Sequence, residues 1–220
     1  MYKTMIASAL FFGLLTIAYL QQKRNVPKKI VFLFAVLELI MCLCTSLLTN
    51  FVLTKGQYIR LNSSGAALGM LLGAYIFTRI TPKYKEVFFE SFVVALPLMY
   101  GVAKIGCAFA GCCEGLPYNG FMRVHTDKGN LFPIQKLESA VFLLLFAFSI
   151  VLYFKKRFNP LVASSIYAIA KIALDFLRYA HLYHVITATQ VMCVVIVVLF
   201  IFLNRRQAKT TKLYSDEWSE

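Results

Sequence analysis

Charge is scarce in this sequence, and acid is scarcer still. Only 15% of the 220 residues are charged, and ten acidic residues stand against 23 lysines and arginines. With 60% of residues hydrophobic, the composition excludes an ordinary soluble domain, whose apolar share is nearer one half. No run rich in glycine, serine or proline divides the chain, and no internal repeat is visible, which argues against linked domains or a solenoid. No nucleotide-binding motif and no familiar metal-binding spacing is present either.

What is there is a series of apolar runs. Crossing a bilayer takes about 20 residues, and runs approaching or exceeding that length recur at Thr4–Leu20, Ile30–Leu53, Ser63–Ile80, Phe92–Ala110, Leu137–Phe154, Leu161–Tyr179 and Thr187–Leu203. The pattern predicts an all-α, polytopic membrane bundle of seven transmembrane helices. One domain covers residues 1–203, and a polar tail follows at 204–220. The first run lacks a basic n-region beyond Lys3 and has no small-residue cleavage site before "QQKRNVPKK", so it reads as a retained helix.

The net charge of +13 might suggest nucleic acid, but its distribution points elsewhere. Fourteen basic residues lie on one predicted side, in four groups around Lys23–Lys29, Arg79–Lys85, Lys155–Arg157 and Arg205–Lys212. Five lie on the other: Lys3, Lys55, Arg60, Arg123 and Lys128. The positive-inside rule then puts the N-terminus outside and the C-terminus in the cytoplasm. The basic excess serves topology and attraction to an anionic leaflet, not nucleic acid.

Four cations remain within or beside the apolar runs: Lys104, Lys136, Lys171 and Arg178. A charge at mid-bilayer costs about 2.5–3.5 kcal/mol on insertion scales, so each needs a partner, a wet cavity or a function. The sixth run, "YAIAKIALDFLRYA", spaces Lys171, Asp175 and Arg178 at i, i+4 and i+7, which predicts one shared helical face. Asp175 could neutralise Lys171 within the helix while Arg178 reaches the interface. Alternatively, these residues share a cavity with Lys104. The nearby acids are Asp175, Glu138 and Glu114, so such a cavity would be balanced or net positive. A buried surplus of cations calls for an anion, and in a bilayer the obvious one is a lipid phosphate.

The stretch "YGVAKIGCAFAGCCEGLPYNG" carries Gly101, Gly106, Gly111 and Gly115 beside Lys104. Small residues let helices pack closely, and they would also leave room for a lipid entering sideways. Cys107, Cys112 and Cys113 have a spacing that matches no common zinc set, and a disulfide between adjacent Cys112 and Cys113 would be strained. Packed inert thiols, a reactive thiol, or a metal site shared with His125, His181 or His184 are the open alternatives.

Taken in order, "KIGCAFAGCCEG", "LFPIQKLESAVFLLLF", "YAIAKIALDFLRYA" and "ITATQVM" resemble prolipoprotein diacylglyceryl transferases, and "LNSSGAALGMLLGAY" resembles that family's third segment. The resemblance spans about Leu61 to Val195. It implies a multi-pass bacterial cytoplasmic-membrane enzyme that moves diacylglycerol from phosphatidylglycerol, or a similar anionic lipid, onto a lipobox cysteine beside a prolipoprotein signal peptide. No cofactor or metal is implied. Departures are specific: Lys104 and Lys171 replace arginines, Cys107 an asparagine, Cys112 an acid, Asp175 a glutamate, and Ser64 stands where a histidine precedes glycine. Gly106, Gly111, Gln135, Glu138 and Arg178 match the motifs, while Cys113 and Gly115 fall in the same stretch.

The resemblance makes Lys104, Lys171, Asp175 and Glu138 the catalytic candidates. Lys104, Lys171 and Arg178 would clamp the phosphate, with Asp175 orienting Lys171. Gln135 and Glu138 would bind the glycerol end or help deprotonate the thiol. A lipid-binding homologue without activity, or a thiol- or metal-handling membrane protein, are the alternatives.

Overall fold

The computed structural model describes residues 2–56, 63–183, 185–187, 190–191, 193–194 and 197–198. The structure is mostly helical, 76%, and the described residues include the α-helices α1 (Tyr2–Lys23), α2 (Lys28–Leu53), α3 (Ser63–Ile80), α4 (Lys85–Ala110), α5 (Ile134–Phe154) and α6 (Pro160–Asp175). The first six apolar runs thus each correspond to a helix. The predicted seventh run lies largely outside the described residues, and the 204–220 tail lies wholly outside them. By length and composition α1, α2, α4 and α5 are able to cross a membrane.

Local sequence sets several boundaries. Asn159 caps α6, its side-chain oxygen accepting from Leu161 N at 3.0 Å and Val162 N at 3.2 Å, while Pro160 occupies the first turn, where no amide donor is needed. Gly111 ends α4 in the left-handed region, at φ +63, and the Cys112 amide donates back to the Cys107 carbonyl at 3.2 Å. This is a Schellman stop, which favours glycine because it has no Cβ to resist that backbone.

The chain forms two compact units, one from Met1–Phe12 and Leu96–Glu220, the other from Gly13–Ala95. In the second, α2 and α3 meet through glycines spaced four apart. A Cβ on Gly65 would fall 2.6 Å from the Thr45 carbonyl, and one on Gly69 would collide with Thr45 Oγ1 and the Met41 carbonyl oxygen. Phe34, Phe77 and Phe88 form the aromatic centre, with ring centroids 4.8–5.1 Å apart. Glu38 is also fully buried here, facing Gly73, and its two carboxyl oxygens make no hydrogen bond among the described residues.

In the first unit, α4 and α5 approach closely at Gly101, where a Cβ would lie 3.3 Å from Ser139 O. Ser149 and Tyr167 join α5 to α6 by a 2.5 Å hydroxyl contact. The connection between α4 and α5 is not all irregular: β1 (Val124–Thr126) and β2 (Gly129–Leu131) form an antiparallel hairpin. The chain around Leu116 lies between two neighbours, its carbonyl accepting from Phe132 N at 2.9 Å and its amide donating to Leu177 O at 3.0 Å. Tyr179 N adds a bond to Glu114 O at 3.0 Å. These bonds tie the segment after α4 to the segment after α6.

Candidate active site

The cations predicted to share a cavity converge on one carboxylate. Glu138, in the second turn of α5, is 0% exposed. Lys104 Nζ from α4 lies 2.8 Å from its Oε2, and Lys171 Nζ from α6 lies 2.9 Å from its Oε1. Arg178 Nη2 bridges both oxygens, at 2.9 and 3.1 Å. Lys171 also meets Asp175 Oδ1 at 2.9 Å, one helical turn further along α6. The in-helix pair and the shared cluster, posed above as alternatives, therefore coexist.

Arg178 does not lie on a helical face with Lys171. Helix α6 ends at Asp175, and Arg178 has extended backbone, φ −88 and ψ 147. A β-bridge to Gly115 holds this backbone. Gly115 also lies close against the Phe132 carbonyl, into which a Cβ there would run. The arginine enters the cluster from beyond the helix, through a loop contact that sequence spacing does not reveal.

Two other expected members are elsewhere. Glu114 pairs with Lys128 at 2.6 Å, and Lys136 is exposed on the first turn of α5. The cluster consequently holds three cations against two carboxylates, Glu138 and Asp175. Both Glu138 oxygens are engaged, so it acts here as a counter-ion. Gln135 donates to the Cys112 carbonyl at 2.7 Å, fixing the turn after α4. Ser64 is in the first turn of α3, and its side chain lies outside the described residues.

Two participants escaped the sequence reading. Tyr100 donates to Glu138 Oε1 at 3.1 Å, and its ring lies 5.2 Å from Lys104 Nζ and 5.8 Å from Lys171 Nζ. An aromatic face so placed attracts both ammonium groups. Its position four residues before Lys104, on the same face of α4, was the available signal. Thr187 donates to Asp175 Oδ2 at 2.6 Å, a long-range pairing with no local signature.

The Sγ atoms of Cys107, Cys112 and Cys113 lie within 4.8 Å of one another. All three thiols are free, Cys107 being buried, Cys112 half-buried and Cys113 exposed. Cys113 adopts φ +61, which turns its side chain back toward the helix end. A hydrogen bond from Cys107 holds the Cys113 thiol well below the usual thiol range; partial loss of solvent around the sulfur opposes this, and Lys104 and Arg178 reinforce it. Among the histidines, His181 Nε2 lies 3.8 Å from Asp175 Oδ2 and His125 sits on the exposed strand β1. His184 is outside the described residues.

A helical protein with several membrane-length apolar helices and a buried, cation-rich polar cluster belongs with the polytopic membrane proteins. The prolipoprotein diacylglyceryl transferase family matches residues 1–205, and the chain belongs to that family. A phosphatidylglycerol–prolipoprotein diacylglyceryl transferase from Dehalococcoides mccartyi is 26% identical over 166 residues, covering 67% of this chain and 63% of the relative. Its counterpart in a second strain is 26% identical over 167 residues, covering 68% and 64%. The chain thus spans just under two thirds of the length of these relatives.

Proposed function

We propose that the protein transfers the diacylglyceryl group of phosphatidylglycerol, or a similar anionic lipid, to the thiol of a lipobox cysteine beside a prolipoprotein signal peptide. The observation that carries this reading is the surplus of cations in the buried cluster of Lys104, Lys171 and Arg178 around Glu138. Substitution at the glycerol carbon leaves negative charge on the departing glycerol phosphate, and cations fixed in advance in a site of low dielectric stabilise that charge. Arg178, with 17% of its side chain exposed, is the most accessible of the three. It would meet the phosphate first.

Entry of the phosphate would shift part of the cations' attention from Glu138. Lys104 and Lys171 supply point charges rather than the planar fork of arginine, so orientation of the phosphate falls mainly to Arg178. Asp175 orients Lys171. Gln135 and Glu138 face the glycerol end. In this reading residues 1–203 form one seven-helix domain of a bacterial cytoplasmic membrane, with the N-terminus outside and the cluster in the outer half. A polar cytoplasmic tail follows. The family membership and the distribution of basic residues support that arrangement.

A second reading, a lipid-binding homologue without activity, is favoured by the completeness of the ion cluster: Glu138 already satisfies three cations. Purified protein in phosphatidylglycerol bilayers with a lipobox peptide separates the two. Mass spectrometry should show a diacylglyceryl-sized gain on the peptide, reduced at least tenfold by Lys171→Ala. Full transfer by Lys171→Ala removes the clamp. Retained phosphatidylglycerol without peptide modification establishes the inactive reading.

A further inference from the structure

The three clustered cysteines have no part in the phosphate clamp, yet the fold brings them together by a specific route. Cys107 lies in the last turn of α4, three residues after Lys104. The Schellman stop at Gly111 reverses the chain, and the bond from Cys112 N to Cys107 O draws Cys112 back over the helix end. Cys113 completes the return with φ +61, a conformation non-glycine residues seldom adopt without compensation. Gln135 pins the same turn through the Cys112 carbonyl. The sequence spacing matched no familiar ligand set because helix end and left-handed turn, not loop length, set the sulfur separations.

A tetrahedral zinc ion with Zn–S bonds of about 2.3 Å places its sulfurs about 3.8 Å apart, compatible with three Sγ atoms within 4.8 Å of one another. Among the described residues no fourth histidine, cysteine or carboxylate joins the group, so a four-coordinate ion held by these three sulfurs would have one position left for an outside ligand. Three thiolates on a divalent ion leave one net negative charge. The neighbouring cluster, three cations against two carboxylates, has one net positive charge to set against it.

We propose that Cys107, Cys112 and Cys113 form a zinc(II) site whose fourth position binds the thiol acceptor and presents it as a thiolate. The role rests on the transfer reading above; the site itself does not. Zinc has no redox chemistry and favours sulfur donors, and a thiol coordinated to it is deprotonated. The acceptor thiol displaces a water from zinc and releases its proton to solvent. Its sulfur then forms a bond to the glycerol carbon of the lipid as the bond from that carbon to the phosphate ester oxygen breaks. The electron pair leaves on glycerol phosphate, opposite Lys104 and Arg178. The product thioether, a weaker ligand, gives way to water.

The test uses the full chain purified in detergent under reducing conditions. Zinc should bind at one ion per chain, and cobalt(II) in its place should give sulfur-to-cobalt absorption in the near ultraviolet. Cys112→Ser and Cys113→Ser should each weaken zinc binding at least tenfold. Cys44→Ser, an exposed cysteine on α2, should leave it unchanged. A lipobox peptide should shift the cobalt d–d bands, whereas the same peptide with serine for cysteine should not. A reduced protein that binds no zinc, or equal losses from Cys44→Ser, overturns the site. A 2 Da mass deficit removed by reductant and abolished by Cys107→Ser, with no zinc bound after reduction, makes the triad a disulfide instead. Cobalt bands indifferent to the peptide overturn the acceptor role. A peptide-dependent shift with no diacylglyceryl transfer overturns the transfer reading and leaves the site standing.

Discussion

Glu38 and Glu138 are both 0% exposed glutamates in long apolar helices, yet their surroundings have little in common. Glu138 receives three cations and a tyrosine hydroxyl. Glu38 faces Gly73, and its oxygens have no hydrogen-bond partner among the described residues. Burial alone therefore does not identify a functional acid in this protein; the partners do. The first site concentrates charge from α4, α5, α6 and the segment beyond α6, and each side chain there depends on the others. The second is a single polar group at a close helix contact.

The sharpest way to break this comparison is Glu138→Gln, which keeps the shape and removes the charge. Of the two carboxylates in the cluster, the three cations would then keep only Asp175. Breaking one partner of a buried ion cluster costs about 3–5 kcal/mol. Thermal unfolding in detergent should register a loss of that order, with little folded protein recovered at growth temperature. A loss under about 1 kcal/mol would mean that Glu138 is not the centre of the cluster.

How much of this was legible in advance varies by residue. Lys104, Lys171 and Asp175 announced themselves, because a charge in an apolar run demands explanation and the i, i+4 pairing follows from helix geometry alone. Six helices were legible for the same reason: bilayer length and apolar composition are local properties. The entry of Arg178 from beyond α6 was not, since it depends on the Gly115 bridge between segments more than sixty residues apart. The hairpin has a local signature in "TDKG", in which Gly129 at φ +102 makes the turn. The three cysteines stood out in the sequence, with a metal site among the open alternatives, but their convergence did not: a backbone reversal at Gly111 and Cys113, not spacing, creates it.

A smaller effect tests the helix contact beside Glu38. Gly69→Ala would drive a methyl group into the Met41 carbonyl and the Thr45 hydroxyl, and a backbone oxygen has little room to yield. Overpacking of this kind costs about 1–3 kcal/mol. Gly73→Ala should cost less, because its Cβ meets the end of the Glu38 side chain at 3.1 Å, which can rotate aside. Equal losses from the two in thermal unfolding would mean that Glu38 is held as rigidly as the backbone.

The smallest effect, and the one with opposite sign, is expected from Glu38→Met. Methionine fills a similar volume and carries no strongly polar atom. A buried oxygen without a partner carries a desolvation cost of about 1–3 kcal/mol, part of which the substitution recovers. Stability should therefore stay level or rise by about 1 kcal/mol, against the large loss at Glu138. A loss of several kcal/mol would reveal that Glu38 is paired in the folded protein after all. An unchanged melting temperature with abolished diacylglyceryl transfer would give the unpartnered carboxyl a chemical role. Either result would dissolve the distinction between the two glutamates, which at present rests on partners that one has and the other lacks.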